Sequence, residues 1–359
     1  MNPSLSSFKY QARSAVLLAL FFGASATGCA SCQQDAVCSM RGTINNPENK
    51  TMRRQMLQKG LGQFCQQMTT RNAPLKLAPE SPVIGRFYAK DCHMKELPNG
   101  DLFVEFGGFG YGYTNISKRM SFTMTGAVEY NQDFLVAKDE CDIYAYFRTK
   151  NVASSNFAIK QIEQPVASFL NSLSPIATNF GQQLVSGKLA DGFTVIHDHE
   201  NNDDFDIGLV ELGKRPLHPY DVHGNNRITV ENLRTEVHQN QRDFIGPITI
   251  SDSGRALYFT GGMDGAPAID LLVYGQEAGD NALGLYTNYA QSGPIPAPPV
   301  FSDVMPTGQG FNRTIPLPKG VYYLVLDNTP SAGATMPPNN AFDDRAAVVS
   351  YVLQIGDTP

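Results

Sequence analysis

The sequence predicts an α+β domain, a long curled antiparallel sheet with two packed helices, followed by an all-β sandwich. Three observations carry this prediction. Apolar residues alternate with period two through long runs between residues 83 and 150. Polar-then-proline signals at Gln164-Pro165 and Ser174-Pro175 open helical stripes that run to Gly192. Beyond Asn225, short apolar runs recur between clusters of Gly, Pro, Asn and Asp, at the spacing of a sandwich. Composition agrees: 32 Gly and 23 Pro in 359 residues, with 17% charged, favour β structure rich in turns. The expected organisation is a signal segment over 1–28, an arm and amphipathic helix over 29–80, the sheet-and-helix domain over 81–217 and the sandwich over 218–359.

The chain opens with Lys9 and Arg13, the apolar run Ala15-Val16-Leu17-Leu18-Ala19-Leu20-Phe21-Phe22, and then Ala26-Thr27-Gly28-Cys29. A basic lead, an apolar stretch shorter than a membrane span and small residues at its end make a secretory signal. The Cys directly after the small residues resembles the lipobox of bacterial lipoproteins, with Ala26 where that family has Leu, Val or Ile. The resemblance implies cleavage before Cys29 and a diacylglycerol on its thiol, hence membrane attachment through lipid. Ala30 follows where an Asp would favour retention in the inner membrane, so the expected address is the cell envelope, at the outer membrane.

An exported chain keeps its disulfides. Cys38, Cys65, Cys92 and Cys141 are expected to pair as Cys38–Cys65 and Cys92–Cys141, leaving Cys32 odd. Next, Asn46-Pro47-Glu48 reads as a helix start. Met52, Met56, Leu57, Leu61, Phe64, Cys65 and Met68 give one apolar stripe over ~22 residues, ending near Pro74. The stripe is read as packing against the next domain; a Met-rich face also suits an adaptable binding surface.

Strands are expected at Val83–Met94, Asp101–Thr114, Lys118–Tyr130, Phe134–Lys138 and Asp142–Lys150, with a turn at Pro98-Asn99-Gly100-Asp101. Within 101–114, Phe103, Phe109, Tyr111 and Tyr113 share one parity, and Gly108, Gly110 and Gly112 share the other. Glycine down one side of a strand admits close approach or tight curling. The helical stripes follow: Val166, Phe169, Leu170 and Leu173, then Ile176, Phe180, Leu184 and Leu189. Strands near 192–196 and 205–210 complete the domain.

This order of elements resembles the tubular lipid-binding (TULIP-like) lipoproteins of bacterial envelopes. The resemblance implies a sheet curled around a helix and an acyl-chain groove lined by Phe103, Phe109, Tyr111, Phe122, Met124, Ile143, Phe147, Phe169 and Phe180. The same residues would equally fill an ordinary core.

In the C-terminal part, strands are expected at 227–231, 247–250, 255–260, 268–274, 283–288, 320–328 and 347–355. Ala268-Ile269-Asp270-Leu271-Leu272-Val273-Tyr274 and Gly320-Val321-Tyr322-Tyr323 resemble the bacterial pre-peptidase C-terminal type of β-sandwich. That resemblance implies an accessory or interaction module.

Net charge is −6 with no Lys/Arg cluster, which argues against a nucleic-acid partner. The acidic stretch 197–206 could ligate a cation or simply form a solvated hairpin tip, the reading preferred here. No nucleophile-elbow, zinc-protease or phosphate-loop motif is present, so neither an enzyme nor a cofactor is expected. The expected function is non-catalytic binding by a lipid-anchored envelope protein, with an acyl chain or similar apolar ligand as the cargo. The alternatives are an interaction lipoprotein that docks to envelope proteins and, third, a hydrolase.

Overall fold

The computed structural model describes residues 30–61, 64–78, 80–114, 118–163, 187, 189–198, 203–222, 227–337 and 345–359. The expected signal segment, Cys29 and most of the expected paired helices, with Phe169 and Phe180, lie outside these residues.

The chain is mostly β-strand, with few helices. In order the elements are α1 (Ala30–Ile44), α2 (Lys50–Gly60), α3 (Phe64–Thr70), β1 (Asn72–Lys76), β2 (Val83–Glu96), β3 (Leu102–Thr114), β4 (Lys118–Val136), β5 (Ile143–Ile162), β6 (Phe193–His197) and β7 (Asp203–Ile207). Then come β8 (Ile228–Val237), β9 (Gln241–Ile250), β10 (Arg255–Gly265), β11 (Ala268–Gly275), α4 (Gln276–Asn288), β12 (Phe301–Pro306), β13 (Phe311–Leu317), β14 (Gly320–Asn328) and β15 (Ala347–Asp357).

The expected single helix after Asn46 is broken. Asn46 does cap the start, accepting from the Glu48 amide at 3.0 Å, with Pro47 at the first position. A short 3-10 turn leads into α2, which ends at Gly60, a residue that readily terminates helices, and α3 resumes at Phe64. The Met-rich stripe faces inward: Met56 and Leu61 are buried, with Met52, Leu57, Phe64 and Met68 packed beside them.

The separate strands expected at 118–130 and 134–138 are one strand, β4. Its partner β5 runs twelve residues past the expected end at Lys150. Residues 151–162 carry only Val152, Phe157, Ile159 and Ile162 as large apolar side chains and none of these positions is buried, so burial contributes little there. The segment is held by its register with β4, from Val128↔Val152 to Met120↔Ile162. The 283–288 strand is corrected: these residues lie in α4. Gly279, Ala282, Leu283, Tyr286 and Thr287 are its buried residues, the i, i+3, i+4, i+7 spacing of a helix that a short apolar run conceals.

Two sheets form. The larger runs β13-β10-β15-β8-β2-β3-β4-β5-β6-β7, with β1 added on β2; the smaller is β12-β11-β14-β9. Strands β8, β10, β13 and β15 face the small sheet across one apolar core that includes Leu257, Phe259, Ile269, Leu271, Leu324 and Tyr351. The connector after 207 holds the expected boundary at 217/218, yet the large sheet is continuous across it. The join is one parallel pair, Val83↔Thr235, with the Thr235 hydroxyl oxygen 3.2 Å from the Val83 carbonyl oxygen.

The glycine-bearing parity of β3 lets rings lie flat against the backbone. A Cβ on Gly110 would meet the Arg86 carbonyl at 2.4 Å and the Phe122 ring at 2.6 Å; one on Gly126 would meet the Phe106 ring at 2.7 Å. Gly110→Ala is therefore an overpacking change in a closed interior. We expect it to destabilise by about 1–3 kcal/mol, read as a lower urea midpoint at unchanged slope.

Candidate functional site

Arg86 interrupts an apolar run, Val83-Ile84-Gly85-Arg86-Phe87-Tyr88-Ala89, and is completely buried. An unpaired guanidinium could not be held there, so the fold brings acceptors to it from both halves of the chain. Asp243 on β9 takes Nε at 2.6 Å and Nη2 at 2.8 Å, a two-pronged pair. Glu231 on β8 and Asn72 on β1 take Nη1 at 2.8 and 2.6 Å. The Tyr351 hydroxyl on β15 accepts from Nη2 at 3.0 Å and donates to Glu231 at 2.6 Å.

The carboxylate of Asp243 is saturated in turn. Tyr111 on β3 and Thr235 on β8 each donate to it at 2.9 Å. Burial alone would raise this carboxyl; the Arg86 charge and the hydrogen bonds outweigh burial and hold it below the usual range. Burial pushes the phenols of Tyr88, Tyr111 and Tyr351 well above their ordinary value, so all three remain neutral donors. Tyr111 also accepts from the Phe244 amide at 2.7 Å, and Tyr88 donates to the Phe244 carbonyl at 2.5 Å.

Beside this cluster a recess opens between Gly85, Gly112, Arg119, Thr235, Gln241 and Tyr286. Its volume of about 10 Å³ holds about one water. Arg119 closes one side by capping α4: it donates to the Tyr289 and Ala290 carbonyls at 2.9 and 2.6 Å, with its guanidinium 4.1 Å from the Tyr286 ring centre. The Tyr111 and Thr235 hydroxyls that touch Asp243 are buried with it, so the polar groups of the cluster satisfy one another. Its chemistry is cohesion: it welds the long sheet to the sandwich.

The residues expected to line one groove are divided between two layers. In the β3–β4 register Phe109 faces Thr123 and Tyr111 faces Ser121, whereas Gly110 pairs with Phe122 and Gly108 with Met124. Thus Phe109 and Tyr111 pack with Tyr88, Phe244 and Tyr286 against the sandwich and α4. Phe122, Met124, Phe147 and, half-buried, Ile143 lie on the opposite side, in the layer that includes α1–α3. Phe103 is half-buried, with the Lys95 ammonium 4.6 Å from its ring centre. Phe169 and Phe180 lie outside the described residues. Reading each strand's apolar parity separately could not assign the strands a common face; only the register does.

The four expected cysteines are bonded with exchanged partners, Cys38–Cys141 and Cys65–Cys92. The expected pairing joined sequence neighbours. In the fold α1 lies along the end of β4, which brings Cys38 to Cys141, while α3 lies on β2, which brings Cys65 to Cys92.

The acidic stretch becomes the β6–β7 hairpin, whose tip at 199–202 lies outside the described residues. Asp204 holds His218 Nε2 at 2.7 Å while His218 Nδ1 contacts the Asn232 carbonyl oxygen at 2.7 Å. Among the described residues no group of three or more His, Cys, Asp or Glu is gathered as a metal site would require. In the sandwich, Asp270 accepts from the Ala334 and Thr335 amides at 2.9 Å, and Asp327 pairs with Arg242 at 2.6 Å and accepts from the Thr329 amide at 2.7 Å. These strand acids tie down the 329–335 loop. Tyr322 belongs to the sandwich core, and Tyr323 packs beside α4, donating to Asp280 at 2.7 Å.

No protein-family model and no curated protein matches the chain. Among solved structures, one from work on Bacillus endospore appendages, described as a novel family of disulfide-linked pili, covers 40% of this chain and 100% of its own. It is 11% identical, with a TM-score of 0.20, a likeness too slight to inform fold or function.

Sequence reasoning missed Arg86, Glu231 and Asp243. The available signal was a single charge inside an otherwise apolar strand, as in Arg86, and again in Asp270 and Asp327.

Proposed function

We propose that this is a lipid-anchored envelope protein with a non-catalytic binding role, and that it binds an extended segment of another envelope protein along β5. The observation that carries this reading is the outer edge of β5. Strand β6 pairs with residues 143–147 only, and among the described residues no strand pairs with that edge over 148–162. A ladder edge of this length is a template for an added strand. Strand β5 carries Arg148, Lys150 and Lys160 and no carboxylate over its 20 residues; the charge of Lys150 is matched by Asp101 and Glu129 at 2.8 and 3.1 Å, so Arg148 and Lys160 set the sign of the edge. Like charge opposes pairing between two copies of this edge and favours an incoming segment bearing Asp or Glu.

The acyl-carrier alternative draws on the Phe122–Phe157 pair, with ring centres 4.8 Å apart, on the side facing α1–α3. It has less support, because the aromatic set divides between two packed layers. Lipid on Cys29 would supply the attachment, and among the described residues no helix is long and apolar enough to cross a membrane.

The test places p-benzoylphenylalanine at Asn156, exposed on β5, or at Val300, exposed on the sandwich, in cells carrying the full chain. The expected result is a discrete photo-adduct from Asn156 alone, mapping to an extended acidic segment of the partner. A correctly anchored protein that yields no such adduct from Asn156 refutes the reading.

A further inference from the structure

The connector between β7 and β8 exposes apolar side chains that the interior does not use. Leu209, Leu212 and Leu217 are 40%, 37% and 74% exposed. Leu212 stands at the tip of a tight turn: the Lys214 amide donates to the Glu211 carbonyl at 2.9 Å, and Gly213 takes φ +82°. The turn is fixed in place. Tyr144 donates to the Lys214 carbonyl at 2.6 Å, and Arg215 pairs with Asp142 at 2.6 Å and Glu140 at 3.2 Å.

Those partners flank Cys141, which is bonded to Cys38 with the Cα atoms 5.4 Å apart. Cys38 lies within α1, whose first residue is Ala30, directly after Cys29. Eight residues of helix rise about 12 Å. Cys29, the residue expected to carry lipid, thus directly precedes a helix that a disulfide fastens to Cys141, and Arg215 ties the connector to Asp142 and Glu140 on either side of that cysteine. The leucine-tipped turn is tied beside that Cys38–Cys141 bridge.

From this continuity we propose that the 209–217 connector is a second membrane contact, with Leu212 at its tip inserted into the interface of the bilayer that holds the Cys29 lipid. This rests on Cys29 being the lipidated residue. The exposed charges flanking Cys141 and the turn, Lys138 and Lys214 against Asp139, Glu140 and Glu211, are mixed in sign. The contact is therefore apolar, and zwitterionic lipid suffices. A second weak contact fixes orientation, because an acyl anchor alone leaves the body free to swivel.

The chain contains no Trp, so a single introduced indole reports its own surroundings. Full-length lipidated Leu212→Trp, Leu217→Trp and Val300→Trp proteins are reconstituted in phosphatidylcholine vesicles with or without brominated acyl chains. Emission from Leu212→Trp should shift to the blue and be quenched by the brominated lipid; emission from Val300→Trp should do neither. Leu217→Trp provides the same reading if Leu212→Trp fails to fold. Diacylglycerol found on Cys29 by mass spectrometry, together with unquenched, water-like emission from the connector variants, overturns the second contact and leaves the anchor standing. An unmodified Cys29 in protein that does not float with vesicles overturns the anchor, and the second contact with it.

Discussion

Arg86→Met is expected to destabilise the protein by about 3–5 kcal/mol, the cost of leaving buried counter-charges without their cation. The substitution keeps the volume apolar and removes all the hydrogen bonds to Asp243, Glu231, Asn72 and Tyr351 at once. Denaturant unfolding would read it as a lower midpoint at similar slope. Its pH dependence separates the charge argument from simple loss of packing. In the native protein Asp243 is held below its ordinary value, so its contribution is present above the unfolded-state value and is lost as pH falls through the lower folded one. Without Arg86, burial dominates and the carboxyl is raised. Its penalty then grows as pH rises and relaxes as pH falls. The difference in stability between variant and wild type should thus be smaller near pH 4 than at pH 7. A penalty that stays constant with pH would mean that packing, and not charge, is what Arg86 supplies.

Removing the Cys38–Cys141 bridge with paired serines is the second large expected effect. The link spans 103 residues and closes a loop whose entropy in the unfolded chain is worth about 4–5 kcal/mol on the chain-entropy relation. The Cys65–Cys92 link spans 27 residues, and its removal should cost roughly 1 kcal/mol less. Comparing the two double-serine variants by denaturant unfolding tests the order. Peptide mapping without reduction should recover the 38–141 and 65–92 pairs, and recovery of 38–65 and 92–141 would contradict the fold. Loss of the longer link should also free α1 from the sheet, visible as faster amide exchange over 30–44.

The β-rich character was legible wherever dense apolar residues are bounded by turn signals. Val83–Glu96, Leu102–Thr114 and Gly320–Asn328 stand out in that way, and each buries side chains on both faces, in two different apolar clusters. Residues 151–162 escaped because their strand is held by pairing with β4 and little by burial. Strand β1 escaped because Pro74 reads as a helix stop, and on this short strand it is tolerated. The cluster around Arg86 was not legible as a site. Its members come from 72, 86, 111, 231, 235, 243 and 351, and no local spacing links them. A charge stranded in an apolar strand announces that partners exist without naming them. The groove residues show the converse limit, since parity sorts residues within a strand and register alone relates one strand to the next.

The continuity of the large sheet across the connector bears on how such a chain could be rebuilt or recombined. A cut at 217 would leave Arg86 in one piece and both of its carboxylates, Glu231 and Asp243, in the other. Each fragment would then carry an uncompensated charge on a freshly exposed apolar surface, along with an orphaned half of the 83–235 pairing. The two halves are thus not interchangeable parts. Any shuffled descendant would have to exchange both together, or replace the whole charge cluster with apolar residues before the pieces could be separated.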